Sequence, residues 1–272
     1  MFTMRRSVAA LVSIGVVLGA MLHMAPASAQ SPAAAVGVKT WLDNPKEFED
    51  YLKSAEVVGL PEELKVGVTR PRKAKLAPGG PIEAFAWKTI QPGRYEGYWE
   101  SYKSEIAAYE MDKLLGLGMV PPTVERRVKG DTGAAIMWVS PTKSFKELGG
   151  VPGQKGVQGP TGLQLVNWNR QLTKAKMFDD LIGNIDPNLG NWLVDPSWNL
   201  VLIDHTRAFT TTKELYHQLI QVDPELGGKM KALDEASVTA AIGNWVGKGE
   251  IRAILQRRDK MQQVVDKLGK SS

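Results

Sequence analysis

Residues Ile182 to Phe209 read IGNIDPNLGNWLVDPSWNLVLIDHTRAF, and the rest of the chain is organised around this stretch. Asp186 and Pro187 open a turn-rich loop, and Asn191 follows Asp186 by five residues after Gly190. Two short apolar runs, Asn191 to Val194 and Leu200 to Ile203, predict a hairpin around Pro196 and Ser197, with Asp204 at the end of its second strand. Asp and Asn build turns well, so Asp186 and Asn191 taken alone are also compatible with simple turn chemistry. The sharper alternative is that the hairpin gathers a base (Asp186), a neutral oxygen ligand (Asn191) and an anionic one (Asp204). That set suits phosphoryl transfer, in which an Asp accepts a hydroxyl proton while oxygen ligands hold Mg2+.

Upstream, the run Ile82 to Ile90 (IEAFAWKTI) predicts a strand interrupted by a cation, Lys88. A lysine there can snorkel to water. It can equally hold phosphate oxygens if a carboxylate orients it. Ser101 to Leu115 predicts a helix with Ile106, Tyr109 and Leu114 on its buried face, ended by Gly116 and Gly118. Its Glu105 is the natural partner of Lys88, with Glu110 in reserve. Leu64 to Leu76 (LKVGVTRPRKAKL) offers a thin phosphate cover, in which Gly67 allows close backbone approach and Thr69 can donate. No G-x-x-x-x-G-K-[ST] or G-x-G-x-x-G pattern occurs.

The remaining elements follow from spacing. Asn44 to Ser54 predicts a helix with Pro45 at its first position, and Leu64 to Thr69 a strand. Thr123 to Val128 and Ala134 to Val139 predict two more strands. Gly150, Gly153, Gly156, Gly159 and Gly162 recur every third residue across 149–162; the run is far too short for a collagen-like helix and reads as a flexible surface loop. Asn167 to Ile182 predicts a long helix, and Lys213 to Val222, Ala236 to Val246 and Glu250 to Lys267 three more. Strands with one helix come first, and helices around a hairpin follow. The expected fold is therefore α+β and two-lobed: a lobe of antiparallel strands at 44–148, the glycine-rich loop at 149–162, and a helical lobe at 163–272 that carries the hairpin.

The N-terminus reads differently. Arg5 and Arg6 precede an uncharged, mostly apolar run from Ser7 to Met24, followed by Ala27-Ser28-Ala29. That is the pattern of a secretory signal peptide at 1–29, with a tether at 30–43, and it predicts an exported, periplasmic or secreted protein with no stable membrane span after cleavage. The formal charge is +5, of which Arg5 and Arg6 supply two. The small, scattered remainder argues against a nucleic-acid partner. The chain has no cysteine and only three histidines, His23, His205 and His217, which excludes thiol catalysis, Cys-ligated zinc and a His-rich metal centre.

The order Lys88, Glu105, Asp186, Asn191, Asp204 resembles the protein-kinase-like superfamily in its atypical branch. The text LIGNIDPNLGNWLV…LVLIDHTRAF is similar to the catalytic and metal segments of HipA-type kinases, type II phosphatidylinositol 4-kinases and the secretory-pathway Golgi kinases. SEIAAYEMDKLLGLGMVPPTV also looks like the Golgi group, where a Glu-bearing helix runs into a Val-Pro-Pro exit. The resemblance spans roughly Leu64 to Phe209. It implies a two-lobed kinase-like fold and a Mg2+ and ATP site, with another nucleoside triphosphate as the alternative donor. Lys88 would bind phosphates, Glu105 orient it, Asp186 act as base, and Asn191 and Asp204 hold the metal. The partners implied are a nucleotide and a hydroxyl acceptor on a protein, sugar or lipid head group. The chain departs from these relatives directly after Asp186, where they carry Arg and His and it has Pro187 and Asn188. Two further readings stand beside the enzyme: a pseudokinase binding module without turnover, and a cell-envelope interaction protein.

Overall fold

In the computed structural model, residues 39–64, 71–186 and 188–270 are described. The signal-peptide reading, Gly67, Thr69 and Pro187 lie outside them, as does nearly all of the strand expected at Leu64 to Thr69. Asn44 precedes helix α1 (Pro45–Ser54), with Pro45 at its first position. Five strands then form one antiparallel sheet: β1 (Val57–Glu63), β2 (Arg72–Leu76), β3 (Ala84–Lys88), β6 (Thr123–Val128) and β7 (Asp131–Met137), in the order β1-β2-β3-β7-β6. A small hairpin, β4 (Gly93–Tyr95) and β5 (Tyr98–Glu100), leads into helix α2 (Tyr102–Leu115). Beyond the sheet, β8 (Lys143–Ser144), β9 (Trp192–Val194) and β10 (Leu200–Leu202) make a three-stranded sheet beside helices α3 (Leu163–Ile182), α4 (Pro224–Lys231), α5 (Glu235–Ile242) and α6 (Lys248–Lys270). The result is α+β, an N-terminal antiparallel sheet followed by a helical C-terminal part. No helix among the described residues is long and apolar enough to cross a membrane.

Strand periodicity decides what each sheet face holds. In β3, Phe85 and Trp87 enter one core with Trp41, Phe48 and Leu52 of the α1 side. Ala86 belongs to the cluster of Tyr102, Ile106, Ala134 and Ile136 on the α2 side. Lys88, two residues after Ala86, follows the same alternation toward α2. Small residues at Ala86 and Ala134 let the helix come close enough for its side chains to reach the lysine. Gly133 has a similar effect on the neighbouring strand, since a Cβ there would lie 2.2 Å from the Lys88 carbonyl oxygen.

Helix α2 departs from the one-faced expectation. It is buried nearly all round, including Ser104, Glu105 and Asp112, whereas Leu114 is exposed and Met111 and Leu115 are buried instead. The sheet covers one side of it and the helical part the other, which is what all-round burial requires. Ser101 caps its start, accepting from the Lys103 N–H, and Gly116 ends it in the left-handed region at φ 57°. The buried Asp112 then accepts the N–H groups of Gly118, Met119 and Val120 at 2.9, 2.8 and 3.0 Å, fixing the exit of the helix.

Strand β10 joins the two parts. Leu200 and Leu202 enter the core of the helical part, while Val201 enters the core of the N-terminal sheet. A strand buried on both faces reads as a continuous apolar run, and LVLI is one. Asp204, just past that run, is thereby held at the seam.

Three helical expectations change, one of them at α5, which ends at Ile242, four residues before the expected Val246. Helix α3 starts four residues before Asn167, at Leu163. Residues 213–222 are not helical. The Tyr216 and His217 N–H groups donate instead to the buried Asp180 carboxylate, at 2.8 and 3.0 Å, so a side chain replaces the intrahelical carbonyls. Helix α4 is additional; Asp223 caps it, with Pro224 at its start. The glycine-rich stretch 149–162 carries neither helix nor strand.

Candidate active site

Lys88 is 6 % exposed, and two carboxylates hold it. Its Nζ donates to Glu105 Oε1 at 2.7 Å and to Asp204 Oδ1 at 2.6 Å. Glu105 is 2 % exposed, and its other oxygen, Oε2, accepts the His205 backbone N–H at 3.1 Å. Asp204 Oδ1 also accepts from the Thr206 hydroxyl at 3.1 Å, and Oδ2 has no hydrogen-bond partner among the described residues. Glu110, the reserve partner, lies on a different face and pairs with Lys113.

Burial disfavours the charge on Lys88, but Asp204 and Glu105 outweigh it and raise its pKa above the ordinary lysine value. Burial likewise pushes the Glu105 carboxyl up, yet the Lys88 charge and the bonds from His205 and Lys88 hold it below the usual range. Lys88 is therefore a cation and Glu105 an anion at neutral pH. Asp204 itself sits at φ 64°, a left-handed conformation that Asp tolerates better than most side chains.

The Asp186 loop lies next to this triad and is held differently. The Ile203 N–H donates to the Asn191 carbonyl at 3.0 Å, which ties the loop to the strand before Asp204. Asn191 is buried, and its Nδ2 donates to the Asp186 carbonyl at 3.4 Å. The Asp186 N–H donates to Asn184 Oδ1 at 3.3 Å, and Asn184 in turn donates to the buried Asp179 at 3.1 Å. Behind the loop, Gly183 at φ 64° ends α3 against the Arg257 guanidinium. Arg257 donates to the Leu181 carbonyl at 2.9 Å and the Thr210 carbonyl at 3.1 Å. That side chain joins the chain before Asp186 to the chain after Asp204.

The structure thus brings Lys88, Glu105 and Asp204 into direct contact and sets Asn191 and Asp186 on the adjoining loop. Arg207 and Glu100, which the sequence reading passed over, belong to the same place: Arg207 Nε and Nη2 reach Glu100 Oε1 at 2.7 and 2.6 Å, and Nη1 lies 3.9 Å from Asp186 Oδ2. The available signal was position alone, an arginine three residues after Asp204 and a glutamate directly before the helix cap at Ser101. Thr206 and the His205 backbone were equally invisible, because they act through a hydroxyl and an N–H group.

The fold, an N-terminal antiparallel sheet followed by a helical part, is similar to that of known kinase structures. The crystal structure of the Golgi casein kinase with Mn/ADP bound is 13% identical over 82% of this chain and 75% of that chain, at TM-score 0.56. The structure of hydra Fam20 with sugar is 14% identical, covers 82% of this chain and 88% of that one, and has TM-score 0.54. The Helicobacter pylori proinflammatory kinase CtkA gives 12%, 77% and 92%, at TM-score 0.51. At such identities the likeness shows the fold alone. No protein-family model matches the chain, and no curated protein matches it in sequence.

Proposed function

We propose that the protein is an atypical kinase-like phosphotransferase that moves a phosphoryl group from a Mg2+-bound nucleoside triphosphate, ATP in the first instance, to a hydroxyl acceptor. The observation that carries this reading is the buried Lys88 ion-paired with both Glu105 and Asp204. A purely structural buried pair rarely improves stability over apolar packing. Here a second anion is added at the seam of the fold, at the edge of an oxygen-lined loop.

The residues fit the groups the reading requires. Lys88 has three N–H donors and uses two on carboxylates, leaving one for a phosphate oxygen. Asp204 Oδ2 and the Asn191 side-chain carbonyl are hard oxygen donors of the kind magnesium takes alongside phosphates and water. When bound, the metal would neutralise charge on the phosphates. Glu105 keeps the Lys88 ammonium aimed into the seam. Asp186 accepts the proton of the acceptor hydroxyl as its oxygen bonds to the terminal phosphorus. The bond from that phosphorus to the bridging oxygen breaks, and the nucleoside diphosphate leaves with the electron pair.

The chain would use this site after export, a part of the proposal that rests on residues 1–29. The test is transfer of the terminal phosphate of ATP, with and without Mg2+, to protein, sugar and lipid-head-group hydroxyls. Mg2+-dependent product that disappears in Asp186→Asn supports the reading. Nucleotide binding without product from any acceptor replaces it with a binding module.

A further inference from the structure

No basic residue follows Asp186 in its own loop, where Pro187, Asn188, Leu189 and Gly190 lead to Asn191. Lys88 does not serve Asp186 either, since its recorded ion pairs are with Glu105 and Asp204. We infer that Arg207 is the positioning residue for Asp186, the cation that holds the base carboxylate in place for the acceptor, and that Glu100 and Tyr98 aim it; this rests on the phosphotransferase reading above.

The geometry is specific to one edge of the guanidinium. Nε and Nη2 both go to Glu100 Oε1, at 2.7 and 2.6 Å. The Tyr98 ring lies under the plane, 4.5 Å from Cζ to the ring centroid. Glu100 is buried, and the next residue, Ser101, donates its N–H to the Thr206 carbonyl at 3.0 Å, stitching the base of the β4–β5 hairpin to the Asp204–Arg207 segment. With the Nε–Nη2 edge occupied by Glu100 and one face covered by Tyr98, Nη1 is directed to Asp186 Oδ2 at 3.9 Å. Among the described residues this is the sole ion pair of Asp186.

At that separation the contact is electrostatic and not a hydrogen bond. It orients the carboxylate without occupying its acceptor positions, so a substrate hydroxyl still has an oxygen to bond. A planar guanidinium can satisfy Glu100 and face Asp186 at once, whereas a lysine ammonium is a point charge on a flexible stem. Burial works against the charge on Arg207, but its bond to Glu100 and the nearby Asp186 and Asp204 raise its pKa, so the cation is permanent. Each element that could move relative to Asp186, the hairpin on one side and the Asp204 segment on the other, meets at this one side chain.

The experiment compares wild type with Arg207→Gln, Arg207→Lys, Glu100→Gln and the surface control Arg94→Gln, by Mg-ATP thermal shift and by steady-state turnover of ATP. Arg207→Gln is expected to lower kcat by about 100-fold, the scale of a misplaced reacting group, with KM for ATP and the thermal shift within about twofold of wild type. Arg207→Lys should recover part of kcat, Glu100→Gln should lower it by about 10-fold, and Arg94→Gln should match wild type. Wild-type kcat in Arg207→Gln overturns the inference, as does a loss that also removes the thermal shift or that Arg207→Lys does not relieve. A wild type that binds Mg-ATP without turnover removes the base for Arg207 to position and overturns it too. Absence of any nucleotide shift in wild type instead sinks the phosphotransferase reading itself.

Discussion

The two sides of the candidate site are built to different standards. On one side Lys88, Glu105 and Asp204 are joined by contacts of 2.6 and 2.7 Å, and the first two are buried between a sheet and a helix. On the other, Asp186 has a side chain 29 % exposed, and the contacts that hold it are 3.3, 3.4 and 3.9 Å. The difference fits the two jobs proposed above. A group that holds phosphate charge gains from being fixed and dehydrated before the nucleotide arrives, because each electrostatic contact is stronger there. A group that meets a variable acceptor needs water access and some play until the acceptor seats.

That contrast can be broken in three places. Lys88→Ala leaves two buried or half-buried carboxylates without their cation, so chemical denaturation should show a loss of about 3–5 kcal/mol. Undiminished stability would mean that the triad is not the fixed side. Asp186→Asn should do the reverse: stability within about 0.5 kcal/mol of wild type, and turnover reduced by about 100- to 10,000-fold. A large fall in stability with Asp186→Asn would remove the distinction.

The smallest effect concerns pH. The Glu105 carboxyl is held below its ordinary value in the folded protein. A depressed carboxyl contributes stability above its unfolded pKa of about 4.3 and loses it as pH falls through the lower folded value. The difference in Tm between wild type and Glu105→Gln should therefore be full at pH 6–8 and shrink below about pH 4. The difference is the quantity to measure, because burial raises the Asp112 and Asp179 carboxyls and their contributions run the opposite way. A Tm difference that grows toward acid would contradict the assigned direction.

How far the chain could be read follows from range of interaction. The alternating IEAFAWKTI strand, the Ser101-to-Gly116 helix and the Asp204 hairpin carry their periodicity and caps locally, and each appears within a few residues of its expected place. Residues 213–222 kept a helical pattern that Asp180, far away in sequence, overrides by taking two N–H groups. Helix α4 was hidden by Gly227 and Gly228, poor helix formers that follow an otherwise clear Asp-Pro-Glu start. The all-round burial of α2 depends on a second layer that no window of its own sequence contains. At the site, Lys88 and Glu105 could be paired because an isolated charge in an apolar strand demands a partner. Arg207 and Glu100 could not, since 107 residues separate them and each looks like an ordinary surface charge.

The central claim is that the buried triad is one wall of a metal–nucleotide site, and the most direct test is the melting temperature with ATP, with Mg2+ and with both, for wild type and Asp204→Asn. The account predicts that ATP with Mg2+ raises the wild-type Tm by about 5–10 °C at roughly 100 times Kd, that ATP alone gives much less, and that Asp204→Asn loses the metal-dependent part. No shift with any nucleotide, or an identical Mg2+-dependent shift in Asp204→Asn, would contradict it.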